Sequence, residues 1–192
     1  MVAQAASVSG CRNGTYGGMP DASDTEFSIE LTARGETGTA AIAAAVASLS
    51  TAGDVIALSG VLGSGKTVFA RGFIRALTGP DEEVPSPTFT LVQIYPSDAG
   101  SIHHFDLYRL KDAEEAWELG IEDAFADGIS LIEWPERLGT LLPPARLEVV
   151  MAADDDGDPE FRRLRLRGGL SWRDRLATLD RDMKGQDEAR DD

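Results

Sequence analysis

Cysteine is almost missing from this chain: Cys11 is the only one in 192 residues. No internal disulfide can form, and a single thiol fits a reducing compartment such as the cytoplasm. Long apolar runs are missing too; none approaches the ~20 residues that cross a bilayer, so no membrane association is expected. Met1–Asp24 has no basic start and no continuous apolar stretch, which argues against a secretory leader. Positive charge is scarce, with 18 Lys and Arg against 33 Asp and Glu for a formal charge of −15. Residues 27–150 alone carry 8 basic and 18 acidic side chains. Such a surface repels phosphate backbones, so tight binding of nucleic acid by this chain alone is not expected. Lysine occurs three times, at Lys66, Lys111 and Lys184, and asparagine once, at Asn13.

What is present suits one soluble domain with tails. The composition, 42% hydrophobic and 27% charged, is ordinary for a globular chain of this size. Residues 1–26 read as a flexible Ala/Ser/Gly-rich extension, 27–183 as a single domain and 184–192 as a disordered acidic tail. Strands are expected at Phe27–Thr32, Val55–Leu58, Phe89–Tyr95, Ile102–Tyr108, Ile129–Trp134, Leu147–Met151 and Phe161–Leu166. Helices are expected at Thr37–Leu49, Thr67–Leu77, Ala113–Phe125, around Glu136–Leu141 and near Ser171–Met183. Pro96 to Gly100 joins two strands as an antiparallel hairpin. The alternation predicts an α/β fold with a mixed, mostly parallel sheet and helices on both faces.

Chemistry concentrates first at Gly60-Val61-Leu62-Gly63-Ser64-Gly65-Lys66-Thr67, which matches G-x-x-x-x-G-K-[ST] in full. Glycines let backbone N–H groups curl around a phosphate, and the N-terminus of the following helix attracts the same anion. Gly60, Leu62, Gly63, Ser64 and Gly65 therefore form a phosphate cradle. Lys66 is expected to be exposed toward the β- and γ-phosphates, and the Thr67 hydroxyl to bind Mg²⁺. A bare glycine-rich turn is the alternative, but this match follows an apolar strand and opens a helix. It predicts binding of ATP with Mg²⁺. Guanine-reading relatives use Asn-Lys-x-Asp, which a chain whose only asparagine is Asn13 cannot supply.

Three further segments can complete such a site. Ile129-Ser130-Leu131-Ile132-Glu133 is an apolar strand ending in a carboxylate, which a second magnesium ligand needs, although Asp is more usual there and an ordinary polar strand terminus is the alternative. In His103-His104-Phe105-Asp106-Leu107-Tyr108, alternation puts His104, Asp106 and Tyr108 on one strand face. Asp106 there can orient an attacking water or hold the metal's water shell; an edge strand with a solvated face is the plain alternative. Adjacent histidines lack the spacing of zinc ligands. Ser86-Pro87-Thr88 lies where nucleotide hydrolases keep a segment ordered by the γ-phosphate, with Thr88 as the candidate contact; a Pro-anchored turn is the plain alternative. Asp112–Asp127 holds seven acids and no base, either a solvated face or a docking surface for a basic partner.

In order, G-V-L-G-S-G-K-T, S-P-T-F-T-L-V, H-F-D-L-Y-R-L, L-G-I and L-I-E-W-P-E resemble the bacterial TsaE (YjeE) family over roughly residues 27–150. The family's role is in threonylcarbamoyladenosine (t6A) modification of tRNA. The resemblance implies a P-loop NTPase fold, weak ATPase activity, and partnership with TsaD and TsaB, without strong direct tRNA binding by the chain alone. It implies that Lys66 and its neighbours bind phosphate, that Thr67 and Glu133 bind Mg²⁺, and that Asp106 and Lys66 support hydrolysis. Thr88 would sit in a switch-like loop, Trp134 beside the metal, and Glu36 or Thr37 near the base. The family's usual loop has Ala at the position of Ser64, a change that backbone binding tolerates. A small-molecule or nucleotide kinase is the rival reading. Its usual Arg-rich lid has one candidate, the Arg162, Arg163, Arg165 and Arg167 cluster, which falls on a strand.

Overall fold

The computed structural model describes residues 26–153, 158 and 160–188. Expectations for residues 1–25, for most of the 154–159 turn and for 189–192 lie outside the described residues. The elements run β1 (Phe27–Arg34), α1 (Gly35–Ser48), β2 (Val55–Ser59), α2 (Lys66–Thr78), β3 (Val92–Tyr95) and β4 (Ile102–Asp106). They continue with α3 (Glu115–Glu118), α4 (Ile121–Asp127), β5 (Ile129–Glu133), a 3₁₀ segment (Pro135–Leu141), β6 (Leu147–Ala153), β7 (Phe161–Gly168) and α5 (Leu170–Glu188).

One seven-stranded sheet in the order β1-β7-β6-β2-β5-β4-β3 organises the molecule. Its centre is parallel, β2 pairing with both β5 and β6, and β4 with β5. Antiparallel partners close both sides, β3 on β4 and β7 on β6, with β1 on β7. Five of the seven strands therefore point the same way, in a mixed, mostly parallel sheet with helices on both faces.

Sequence pattern explains the placement. Val55-Ile56-Ala57-Leu58 is buried at every position, as a strand covered on both faces must be. In β7, Leu164 and Leu166 are buried while Arg165 and Arg167 are exposed, so one face of that side of the sheet meets solvent. Two cores result. Ile56, Leu58, Leu147, Val149, Leu164 and Leu166 meet Phe69, Phe73 and Trp172 from α2 and α5. Val55, Phe105, Leu107 and Ile132 meet Ala116, Ile121, Ala124 and Leu138 on the other face. Burying Phe69 and Phe73 contributes about 1.5–3 kcal/mol each.

Three expectations need correction. The strand expected at Phe89–Tyr95 begins only at Val92, because the Leu91 N–H donates to the Pro87 carbonyl at 2.6 Å and closes a turn. The single acidic helix expected at Ala113–Phe125 is two short helices, broken where Gly120 adopts φ 72°. The tail expected to be disordered from 184 is helical through Glu188, and Lys184 donates to Asp180 one turn earlier at 2.7 Å.

Candidate functional site

Gly60 leaves β2 with φ +144°, and a Cβ there would lie 2.4 Å from the Met151 carbonyl oxygen. Only glycine lets the loop turn this tightly against β6. The loop then delivers Lys66 and Thr67 to the first turn of α2. Lys66 differs from the expectation of an exposed amine. Its side chain is buried, donating from Nζ to the carbonyls of Gly60 at 2.8 Å and Val61 at 3.0 Å. Trp134 covers it, with Nζ 3.9 Å from the ring centroid. Burial lowers the Lys66 pKa below its ordinary value, and the nearby Glu133, Glu136 and Asp106 charges partly oppose that.

Parallel pairing brings the acids to the same place. Asp106 at the end of β4 is opposite Glu133 at the end of β5, and Leu58 at the end of β2 is opposite Glu133 on the other side. The Thr67 hydroxyl donates to Glu133 Oε2 at 3.1 Å. Glu133 Oε1 lies 2.9 Å from His104 Nε2. Asp106 is buried rather than on a solvated edge, since β3 lies outside β4. Its Oδ2 accepts from Thr88 Oγ1 at 2.7 Å and Ser86 Oγ at 3.1 Å, and its Oδ1 from the Tyr108 N–H at 3.2 Å. These bonds tie the loop before β3 to the end of β4.

A cleft of about 280 Å³ opens between these elements, lined by Leu62, Lys66, Thr67, Thr88, Asp106 and Glu133 among others. A second, of about 270 Å³, lies on the other side of the loop, where Glu36 and Thr39 of α1 face Gly63, Ser64 and Gly65. Thr37 does not line it. The sequence pattern alone assigns no role to Ser86, His104 or Thr39. The strand alternation already put His104 beside Asp106; Thr39, one helical turn from Gly35, carried no such signal. Trp134, with φ 62°, lies over Lys66, its ring 4.9 Å from that of Tyr108.

Arg165 and Arg167 are tied up on β7, pairing with Glu30 and with Glu26 and Glu148. They form part of a strand face, not a lid. Among the described residues, no group of three or more His, Cys, Asp or Glu is arranged to hold a metal ion. No helix among them is long and apolar enough to cross a membrane.

A tight loop between a buried parallel strand and a helix, with a lysine and a hydroxyl facing an acid on the next strand, defines the class of P-loop nucleotide-binding folds. Residues 33–163 match the family described as Threonylcarbamoyl adenosine biosynthesis protein TsaE, and the chain belongs to that family. It is 45% identical over 103 residues to the tRNA threonylcarbamoyladenosine biosynthesis protein TsaE of Rickettsia conorii, an alignment spanning 54% of this chain and 59% of that protein. The chain thus spans about three-fifths of that relative's length. The protein of the same name from Bacillus subtilis is 39% identical over 126 residues, covering 64% of this chain and 78% of it. The crystal structure of Bacillus subtilis YdiB is similar with a TM-score of 0.66 and 28% identity, covering 82% of this chain and 97% of that one.

Proposed function

We propose that this chain binds ATP with Mg²⁺ at the loop Gly60–Thr67 and hydrolyses it weakly, as a cytoplasmic component of the bacterial tRNA t6A modification machinery acting with TsaD and TsaB. Family membership supports the pathway. The observation that carries the nucleotide chemistry is the convergence of Lys66, Thr67, Asp106 and Glu133 on one cleft.

The donor set fits the metal. Thr67 Oγ1 and Glu133 Oε2 are hard oxygens 3.1 Å apart at the mouth of a cleft with room for water and phosphate oxygens, as Mg²⁺ requires. When bound, the ion neutralises charge on the phosphates. In this reading Lys66 trades its carbonyl bonds and its contact with Trp134 for phosphate oxygens. Backbone N–H groups of Gly63, Ser64 and Gly65 complete the cradle, with Gly60 and Leu62 shaping it. Asp106 holds the water or its shell, and Thr88 links the loop to the γ-phosphate. The second cleft accepts the base, with the Glu36 carboxylate available to the adenine amino group and Thr39 beside it.

The kinase reading gains nothing from the fold, because the arginines that could close over an acceptor are held on β7. The deciding experiment measures the t6A content of tRNA by mass spectrometry in cells depleted of this protein. A fall restored by the parent gene but not by a Lys66→Ala gene is expected; unchanged t6A removes the pathway assignment.

A further inference from the structure

His104 has no solvent exposure, and Glu133 is nearly as buried. A carboxylate taken out of water needs donors to both oxygens. Thr67 supplies one to Oε2, and the only side-chain partner recorded for Oε1 among the described residues is His104 Nε2, at 2.9 Å. The geometry comes from register. His104 on β4 is opposite Leu131 and Asp106 is opposite Glu133, so His104 and Glu133 are diagonal neighbours on the face that meets α2.

The chemistry of the acceptor sets the direction of the bond. An ionised carboxylate can only accept, so the Nε2 that meets Oε1 carries a proton and donates to Glu133. His104 Nδ1 is buried with no hydrogen-bond partner among the described residues. From this we propose that His104 is a positioning residue for the metal ligand. Its Nε2–H fixes Oε1 and thereby holds Oε2 toward Thr67 and the divalent cation. Glu133 lies at the last position of its strand. Without a fixed Oε1, the carboxylate can rotate away from Thr67, and the cation loses a preset ligand.

This inference rests on the proposed binding of ATP with Mg²⁺, and its test separates the two. Calorimetric titration of ATP is carried out in EDTA and at stepped Mg²⁺ on the parent, His104→Leu, His104→Gln and Glu133→Ala proteins and on the Glu133→Ala, His104→Leu double variant. The Mg²⁺ concentration needed for half of the metal-dependent gain in affinity is expected to rise about tenfold or more in His104→Leu. Affinity in EDTA stays at the parent value, and His104→Gln, which keeps a donor, recovers most of the shift. In the Glu133→Ala background His104→Leu adds no further shift, because the residue acts through that carboxylate. An unchanged Mg²⁺ dependence in a folded His104→Leu protein overturns the proposal, as does an equal loss in EDTA and Mg²⁺. A parent protein that does not bind ATP removes the nucleotide reading and this inference with it. Should His104→Leu fail to fold, ¹⁵N NMR of the parent decides: with two histidines in the chain the signals are assignable. A proton on His104 Nε2 is expected, and an Nε2 that carries none overturns the proposal.

Discussion

Lys66 combines a buried ammonium, carbonyl partners and an aromatic cover, and that combination makes its energetics testable. Its depressed pKa means that below the folded value the charge is held at a cost, which is relieved as pH rises toward the unfolded value of 10.5. A triphosphate favours the charged form and raises that pKa again. ATP binding at alkaline pH is therefore expected to take up protons, seen as an observed enthalpy that varies with the ionisation heat of the buffer. Identical enthalpies across buffers would refute it. Lys66→Ala removes charge-assisted bonds to phosphate and should cost about 2 kcal/mol or more, a factor of about 30 in affinity. Parent-like binding of ATP with Mg²⁺ would end the assignment of the loop.

Asp106 should behave differently. It brings negative charge near the phosphates, so Asp106→Ala is expected to leave ATP affinity nearly unchanged or slightly tighter. Hydrolysis should fall by about 100-fold or more if the carboxylate acts in proton transfer or on water. The defect is expected to be largest when TsaD and TsaB are present. Phosphate release at the parent rate, with and without those proteins, would take Asp106 out of the mechanism.

The packing of α1 against α2 decides where the second cleft lies. Gly72 on α2 faces Ala40 on α1 so closely that a Cβ at 72 would stand 2.7 Å from the Ala40 Cα. Backbone cannot yield as a flexible side-chain tip does, so the helices must separate. Gly72→Ala should cost about 1–3 kcal/mol by denaturant unfolding, despite the better helix propensity of alanine. Because α1 carries Glu36 and Thr39, the same variant should weaken ATP binding more than it weakens binding of inorganic triphosphate. Equal losses for the two ligands would show that α1 does not reach the base. Element boundaries that depart from the sequence pattern have the same local origin. Turn closure by the Pro87 carbonyl and the left-handed Gly120 are single-residue events that apolar periodicity does not register.

Across the whole molecule, the charge of −15 sets the expected relation to tRNA. The open face of β1, β7 and β6 carries arginines, but Arg165 and Arg167 are paired with glutamates from neighbouring strands and present little free positive charge. A mobility-shift assay of the isolated chain with tRNA is expected to show no complex at physiological ionic strength. A stable, salt-sensitive complex would contradict this.

The sequence by itself determined the loop and the two acid-bearing strands, because each is encoded locally. A phosphate cradle needs glycines, a lysine and a hydroxyl at fixed spacing, and an acid at the end of a mostly apolar or alternating strand is set by the pattern of that strand alone. Asp106 and Glu133 were legible for that reason, and so was the alternation that set His104 beside Asp106. Tertiary structure alone decided what these side chains meet. The burial of Lys66 under Trp134 requires the left-handed turn after β5. The bonds from Ser86 and Thr88 to Asp106 require the loop before β3 to fold back on β4. The contact of His104 with Glu133 depends on the register between β4 and β5, and Thr39 reaches the second cleft only because α1 lies against α2 at Gly72. Contacts between residues far apart in sequence depend on strand order and register, which the packing of the whole sheet fixes and no local pattern carries.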